Sequence, residues 1–222
     1  MHNEIDLRIV CDSLARIYGT PRHGNLSDPL DELVYIILST RTRDSSFRAT
    51  FGQLKQALPS WSAVRGEDLA RMEEILAPGG LGRLKAGQIL SILDRLRGAF
   101  GSVTLAPLVA MPDAEAERFL VSLPGVGPKV AKCVLMYSLG RQVLPVDTHV
   151  HRVATRLGMR TKRRPDTSQT MIEMAVPPEI RYSFHVNAIA LGRSTCLPRN
   201  PRCTNCCLSS WCEYASLAAK GF

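Results

Sequence analysis

No stretch of this 222-residue chain reaches the ~18–20 consecutive apolar residues needed to span a bilayer. The N-terminus also lacks a charged-then-apolar leader with a cleavage site, so neither membrane insertion nor secretion is indicated. There is no low-complexity segment and no internal repeat, which excludes a disordered tail and a solenoid. Convincing period-2 alternation is missing too, whereas apolar residues recur at helical spacing almost throughout, and the expected fold class is all-α. Acidic residues are in deficit: 20 Asp and Glu face 28 Lys and Arg, for a formal charge of +8 and a pI of about 9.4. That balance suits a protein that sits on a polyanion. What remains, at 45% hydrophobic, is enough for one large or two small domains with a proper core.

The spacing predicts helices over residues 5–17, ended by Gly19; 29–38, begun by Ser27-Asp28; 45–58, ended by Pro59; 67–76, stopped before Pro78-Gly79-Gly80; 84–100, ended by Gly101; and 113–120, begun after Pro112. The run Leu33-Val-Tyr-Ile-Ile-Leu38 is too apolar for a surface helix and reads as the buried centre of a bundle. Short Gly- and Pro-bearing turns join these pieces into a compact helical array. After Gly140 the chain becomes richer in His, Arg and Cys, and a second lobe is expected there.

Seven cysteines are present, an odd number that argues against a full set of disulfides and for a reducing, cytoplasmic setting. Four of them, Cys196, Cys203, Cys206 and Cys212, are spaced Cys-x6-Cys-x2-Cys-x5-Cys within 17 residues and can converge on one metal centre. Four thiolates suit either a structural zinc or an iron–sulfur cluster. Cys207 is an adjacent spare, expected to point away from the site. Cys11 and Cys133 lie in apolar helical surroundings and read as packed thiols.

The segment Phe119 to Lys132 reads as a helix end, a glycine hairpin and a helix start. Gly125 and Gly127 let the backbone turn tightly and approach a ligand closely, and the amides opening the next helix present the positive end of its dipole to an anion. Val126 between them contributes backbone to the same site. Pro128 is at ease in a first turn because it has no N–H to leave unsatisfied. Lys129 follows it, where the dipole favours the neutral amine that a nucleophile requires. Eighteen residues later comes Pro145-Val-Asp147-Thr-His149, before a helical run to Leu157 and Gly158. Asp147 is placed to cap that helix, which would hold its carboxylate rigid and ionised. His149 and His151 lie beside it, His149 the better placed to face a ligand. His2 and His23 read as surface residues, and His185 as a packing or capping group.

The combination Leu-Pro-Gly-Val-Gly-Pro-Lys129, Val-Asp147-Thr-His, Leu-Gly-Arg193 and the four-cysteine loop resembles the endonuclease III family of helix-hairpin-helix DNA glycosylases over nearly the whole chain. The resemblance implies a two-lobed fold: a six-helix barrel over residues 24–137 and a cluster lobe made of 1–23 and 138–222. It implies a 4Fe–4S cluster on the four cysteines, organising a loop whose Arg193, Arg199 and Arg202 meet the DNA backbone. Lys129 would be the nucleophile and Asp147 its acid–base and electrostatic partner, acting as glycosylase and lyase on oxidised pyrimidines and abasic sites in double-stranded DNA. Leu81 would fill the gap left by the extruded nucleotide, helped by the Thr40-Arg41-Thr42-Arg43-Asp44 loop, and a monomer associated with the nucleoid is expected.

This chain departs from the family at Arg41, where Gln is usual, at Leu191, where His is common, and at Pro128, a place often held by a polar or basic residue. None of these removes a catalytic group. Two other readings stand beside the first: a glycosylase for a mismatched or alkylated base, and a non-catalytic DNA-binding module. The presence of both Lys129 and Asp147 speaks against the second of these.

Overall fold

The computed structural model describes residues 6–21, 26–40, 47–79 and 81–218. The described residues form eleven α-helices joined by turns and short 3-10 segments, with no strand among them: α1 (Leu7–Tyr18), α2 (Pro29–Ser39), α3 (Phe47–Ala57), α4 (Leu69–Leu76), α5 (Gly82–Phe100), α6 (Asp113–Val121), α7 (Pro128–Tyr137), α8 (Thr148–Arg156), α9 (Pro165–Ala175), α10 (Arg181–Ser194) and α11 (Glu213–Ala218). The all-α expectation holds. None of these helices is long and apolar enough to cross a membrane. The chain divides into two compact units, Asn25–Arg141 and Met1–Gly24 with Gln142–Phe222. Arg41 and the rest of its loop to Asp44, together with His2 and His23, lie outside the described residues.

Unit Asn25–Arg141 is built around α2. Asp28 caps it, its Oδ1 accepting from Leu30 N at 2.9 Å and Asp31 N at 2.8 Å, and Pro29 sits at the first helical position, where its missing N–H costs nothing. Leu30, Leu33, Val34, Ile36, Ile37 and Leu38 are all buried, so this helix is packed on more than one side, as its composition requires. Helices α3, α5 and α7 pack against it, α4 lies on α3 and α5, and α6 on α7. The longest helix, α5, begins at Gly82, two residues before the start that the periodicity suggests. Leu81 takes the left-handed conformation (φ 59°, ψ 23°), which reverses the chain into the helix at once. Gly82 then presses on the turn before it, where a Cβ would lie 2.7 Å from Ala77 N and 2.8 Å from the Leu76 carbonyl carbon.

In the other unit, α1 is capped by Asp6 and closed by Gly19, whose φ of 69° carries its N–H back to Ala15 O. It packs on α10, which also meets α8, and α8 in turn carries α9 and α11. Phe184, fully buried, stands in a core with Leu14, Val150, Ile172 and Leu191. Helices α9 and α10 are not evident from periodicity. The reason for α10 is burial: residues 184–189 are buried without interruption, followed by Leu191 and Gly192, so no polar stripe marks its outer face. Cys11 and Cys133 are both buried, and burial pushes the Cys11 thiol up to about 11.

Because the Cβ introduced by Gly82→Ala would strike backbone rather than a flexible side chain, this variant should lose about 1–3 kcal/mol of stability. Thermal unfolding compared with Gly87→Ala, whose Cβ meets nothing within 4 Å, measures it.

Candidate active site

The glycine hairpin lies in unit Asn25–Arg141 between α6 and α7. Leu123 N donates to Leu120 O and Val126 N to Leu123 O, both at 3.1 Å, which winds the turn tightly. Gly125 has φ 69°, and a Cβ there would lie 2.2 Å from Gln88 Nε2, the same amide that donates to Pro124 O at 3.0 Å. The left-handed backbone favours glycine, and any side chain there would also have to displace the Gln88 amide. Gly127 is extended and caps α7, and a Cβ on it would meet nothing within 4 Å, so its bareness leaves room for approach from outside. Val126 is buried (5% exposed) and its N–H is taken by the turn, so it can offer neither to a ligand. The first bond within α7 is Ala131 N to Gly127 O at 3.0 Å, so the amides of Lys129 and Val130 precede the helical ladder and carry its positive end. Lys129 is the second residue of α7, half-buried.

Asp147, in the other unit, is the N-cap of α8. Its Oδ1 accepts from His149 N at 2.9 Å and Val150 N at 2.8 Å, so the cap leaves Oδ2 unused. The residues before it, Val143 to Val146, are buried without belonging to a helix. Four of their peptide groups are met by side chains instead. The Gln169 amide accepts from Val146 N (2.9 Å) and donates to Leu144 O (2.6 Å), Glu173 Oε1 accepts from Leu144 N (2.9 Å), and His185 Nδ1 meets Pro145 O (2.8 Å), which makes it the donor. Thus Asp147 is held on one side by its own cap and on the other by α9 and α10. Gln169 and Glu173 escaped the sequence reading; four-residue spacing within a helix is their only signal, and it does not say what they face.

The same helix supports the cysteine loop. Arg152 donates from Nε to Cys196 O and from Nη2 to Gly192 O, both at 2.8 Å, and from Nη2 to His149 Nδ1 at 3.1 Å. One turn on, Arg156 donates to Leu197 O at 2.7 Å and to Cys196 Sγ at 3.2 Å, and its guanidinium stands 4.5 Å from the centre of the Tyr214 ring. Gly192 makes room for this: a Cβ there would lie 2.7 Å from His149 Nδ1.

Cys196, Cys203, Cys206 and Cys212 are all partly buried. Burial pushes the Cys206 and Cys212 thiols above the usual cysteine range, and negative charge on other thiols pushes the same way: Cys207, Cys196 and Cys203 on Cys206, Cys196 and Cys206 on Cys212. The four ligand candidates therefore sense one another. Their thiolates would repel in a half-buried loop unless a cationic group stood among them, and that donor set fits an iron–sulfur or zinc centre. Among the described residues no three His, Cys, Asp or Glu side chains stand close enough to hold a single metal ion. Cys207 packs against the hydrophobic core, where burial raises its thiol also.

Leu81 is 47% exposed despite being apolar. Arg193, Arg199 and Arg202 are exposed around the cysteine loop, with Arg202 Nη1 at 3.5 Å from Ser194 O, and His149 is half-buried.

Comparison with known proteins gives a consistent result. Residues 34–178 match the HhH-GPD superfamily base excision DNA repair protein family. Endonuclease III of Thermotoga maritima is 30% identical over 201 residues, 90% of this chain and 90% of its own. The solved structure of a non-covalent endonuclease III–DNA complex superposes with a TM-score of 0.76 at 25% identity, covering 96% of this chain and 97% of that one. A thermostable thymine-DNA glycosylase shares the fold, with a TM-score of 0.77 at 19% identity over 95% of this chain and 96% of its own.

Gln169→Leu would strand Val146 N–H and Leu144 O in the interior at about 1–3 kcal/mol each. Chemical denaturation should show a loss on the order of 3 kcal/mol, and Gln169→Glu, whose carboxylate would face Leu144 O and the Glu173 carboxylate, should lose at least as much.

Proposed function

Since the chain belongs to the endonuclease III family, within the HhH-GPD superfamily of base excision DNA repair proteins, we propose that it removes oxidised pyrimidines from double-stranded DNA and cleaves the resulting abasic strand through a lysine Schiff base. It is a base excision repair enzyme, and its partner is DNA. The observation that carries the finer reading is an amine, Lys129, at the second position of the helix that follows the glycine hairpin.

The damaged nucleotide must first leave the stack, because C1′ cannot be attacked from within it. Phosphates flanking it would rest against the backbone of Gly125, Val126 and Gly127 and the opening turn of α7, with Val126 acting only as part of that turn. Leu81 and Arg41 would occupy the space vacated, while His149, Arg193, Arg199 and Arg202 would meet the strand. Lys129 Nζ then forms a bond to C1′ as the C1′–N bond breaks, and the electron pair departs with the base. Asp147, through the oxygen its cap leaves unused, takes the proton released by the amine and offsets the positive charge growing on the sugar. The nitrogen lone pair then opens the C1′–O4′ bond, O4′ taking up the proton that Asp147 had accepted, and the iminium so formed acidifies C2′. Loss of a C2′ proton expels the 3′ phosphate, which is the lyase step.

Cys196, Cys203, Cys206 and Cys212 would hold a 4Fe–4S cluster, whose contribution is to cross-link the loop bearing the arginines. The choice of cluster over zinc rests on membership of the endonuclease III family. In domain terms, residues 24–137 would form the six-helix barrel and 1–23 with 138–222 the cluster lobe. The shared fold with a thymine-DNA glycosylase does not choose the lesion. The amine at position 129 supports the lyase branch, since hydrolysis by an activated water needs no amine there.

Borohydride trapping on a panel of lesion duplexes tests the reading. Wild type should form a covalent adduct with abasic DNA and with at least one oxidised pyrimidine. Lys129→Gln should abolish trapping while leaving binding nearly intact, and Asp147→Asn should slow base release far more than cleavage of a preformed abasic site. Trapping that survives in Lys129→Gln would move the role to another amine. For the cofactor, purified protein should contain about four iron atoms per chain. Cys203→Ser should release them and Cys207→Ser should not; stoichiometric zinc from iron-replete cells would overturn the cluster.

A further inference from the structure

Lys85 is the one lysine of α5, and it is 5% exposed. Burying an ammonium is costly, and burial does push this one below the ordinary lysine range, so the position needs a reason. Its backbone N–H makes the first helical bond of α5, to Leu81 O at 2.9 Å. Its Nζ donates to Leu38 O at 2.8 Å, a carbonyl in the last turn of α2 that no later N–H of that helix can reach. A cation there also complements the negative end of the α2 dipole.

Leu81 is the residue immediately before this turn. It is apolar, exposed and left-handed, a conformation that costs a side-chain-bearing residue about 1–2 kcal/mol. Such strain persists only where the surroundings hold it. Three contacts of α5, three residues apart, supply the hold: Gly82 against the Leu76–Ala77 backbone, Lys85 on the end of α2, and Gln88 on Pro124 of the hairpin. Of these, only Lys85 bonds through its own backbone to Leu81 and through its side chain to another helix.

We infer that Lys85 is a positioning residue for strand opening: it locks the first turn of α5 to the end of α2 and so holds Leu81 proud of the surface, at the height needed to enter a duplex. This rests on the reading of the protein as a glycosylase whose Leu81 fills the vacated space. Insertion of an apolar wedge has to offset the loss of base stacking, so a wedge that yields under load does not open the duplex. A single-stranded substrate needs no wedge, and there Lys85 has no part to play.

The experiment is a double-mutant cycle of Lys85→Met and Leu81→Ala, read by single-turnover cleavage of an abasic site in duplex and in single-stranded DNA. Lys85→Met should lower the duplex rate by about tenfold, leave the single-stranded rate unchanged, and cost nothing further in the Leu81→Ala background. Fluorescence of 2-aminopurine opposite a non-cleavable tetrahydrofuran site should rise on binding wild type and fail to rise with Lys85→Met. Should Lys85→Met not fold, Lys85→Gln, which keeps a shorter N–H donor, enters the same cycle with a smaller duplex-only loss. Equal losses on duplex and single strand, an unchanged duplex rate, or losses that multiply with those of Leu81→Ala each overturn the inference. Absence of cleavage by wild type on both substrates would sink the lyase reading instead, and the fluorescence arm would still decide the role of Lys85.

Discussion

Every peptide group taken out of water in this protein has to find a partner, and where the helical ladders end, with no sheet among the described residues to supply one, the burden falls on side chains. An array of short helices multiplies the problem, since each helix ends in carbonyls that its own amides cannot reach. Basic residues answer it repeatedly. Lys85 serves Leu38; Arg141 donates to Val109 and Met111; Arg152 and Arg156 serve Gly192, Cys196 and Leu197; Arg181 serves Val176, Gln142 and Glu173. The buried run Val143 to Val146 is the extreme case, a non-helical segment whose amides and carbonyls are met by Gln169, Glu173 and His185.

That constraint changes the meaning of the charge. A formal +8 reads as an electrostatic footprint for a polyanion, yet Arg152 and Arg156 face carbonyls, Lys132 is buried in an ion pair with Glu117 at 2.7 Å, and Arg141 pairs with Asp113 at 3.1 Å. The charge left to meet DNA is more local than the total suggests. Exposed basic residues cluster at Arg160, Lys162, Arg163 and Arg164 and again at Arg193, Arg199 and Arg202.

Helix α8 joins the Asp147 cap to the cysteine loop. Its first residue follows Asp147, and its next two turns carry the arginines that hold the Cys196 loop. One rigid element therefore sets the carboxylate and braces the proposed cluster. A change in the cysteine loop would be felt at Arg152, which also touches His149, two residues from Asp147.

Local rules expose a good part of this in the amino-acid order. Asp28, Gly19, Gly101 and Pro128 stand at helix ends because capping, left-handed backbone and a missing N–H are properties of single residues. The Cys spacing, the glycine hairpin and Asp147 before a helix are legible for the same reason, as is Lys129 in the first turn after the hairpin. What stays hidden depends on neighbours distant in sequence. Helix α10 lacks a stripe because its middle, residues 184–189, is buried without interruption, Val126 turns inward between two glycines, and Leu81 starts α5 early because Gly82 meets the turn before it. Nothing in the order of residues tells Gln169 that it faces Val146, or Lys85 that it faces Leu38. A polar side chain looks alike in sequence whether it ends in water or on a buried carbonyl, and packing alone separates the two.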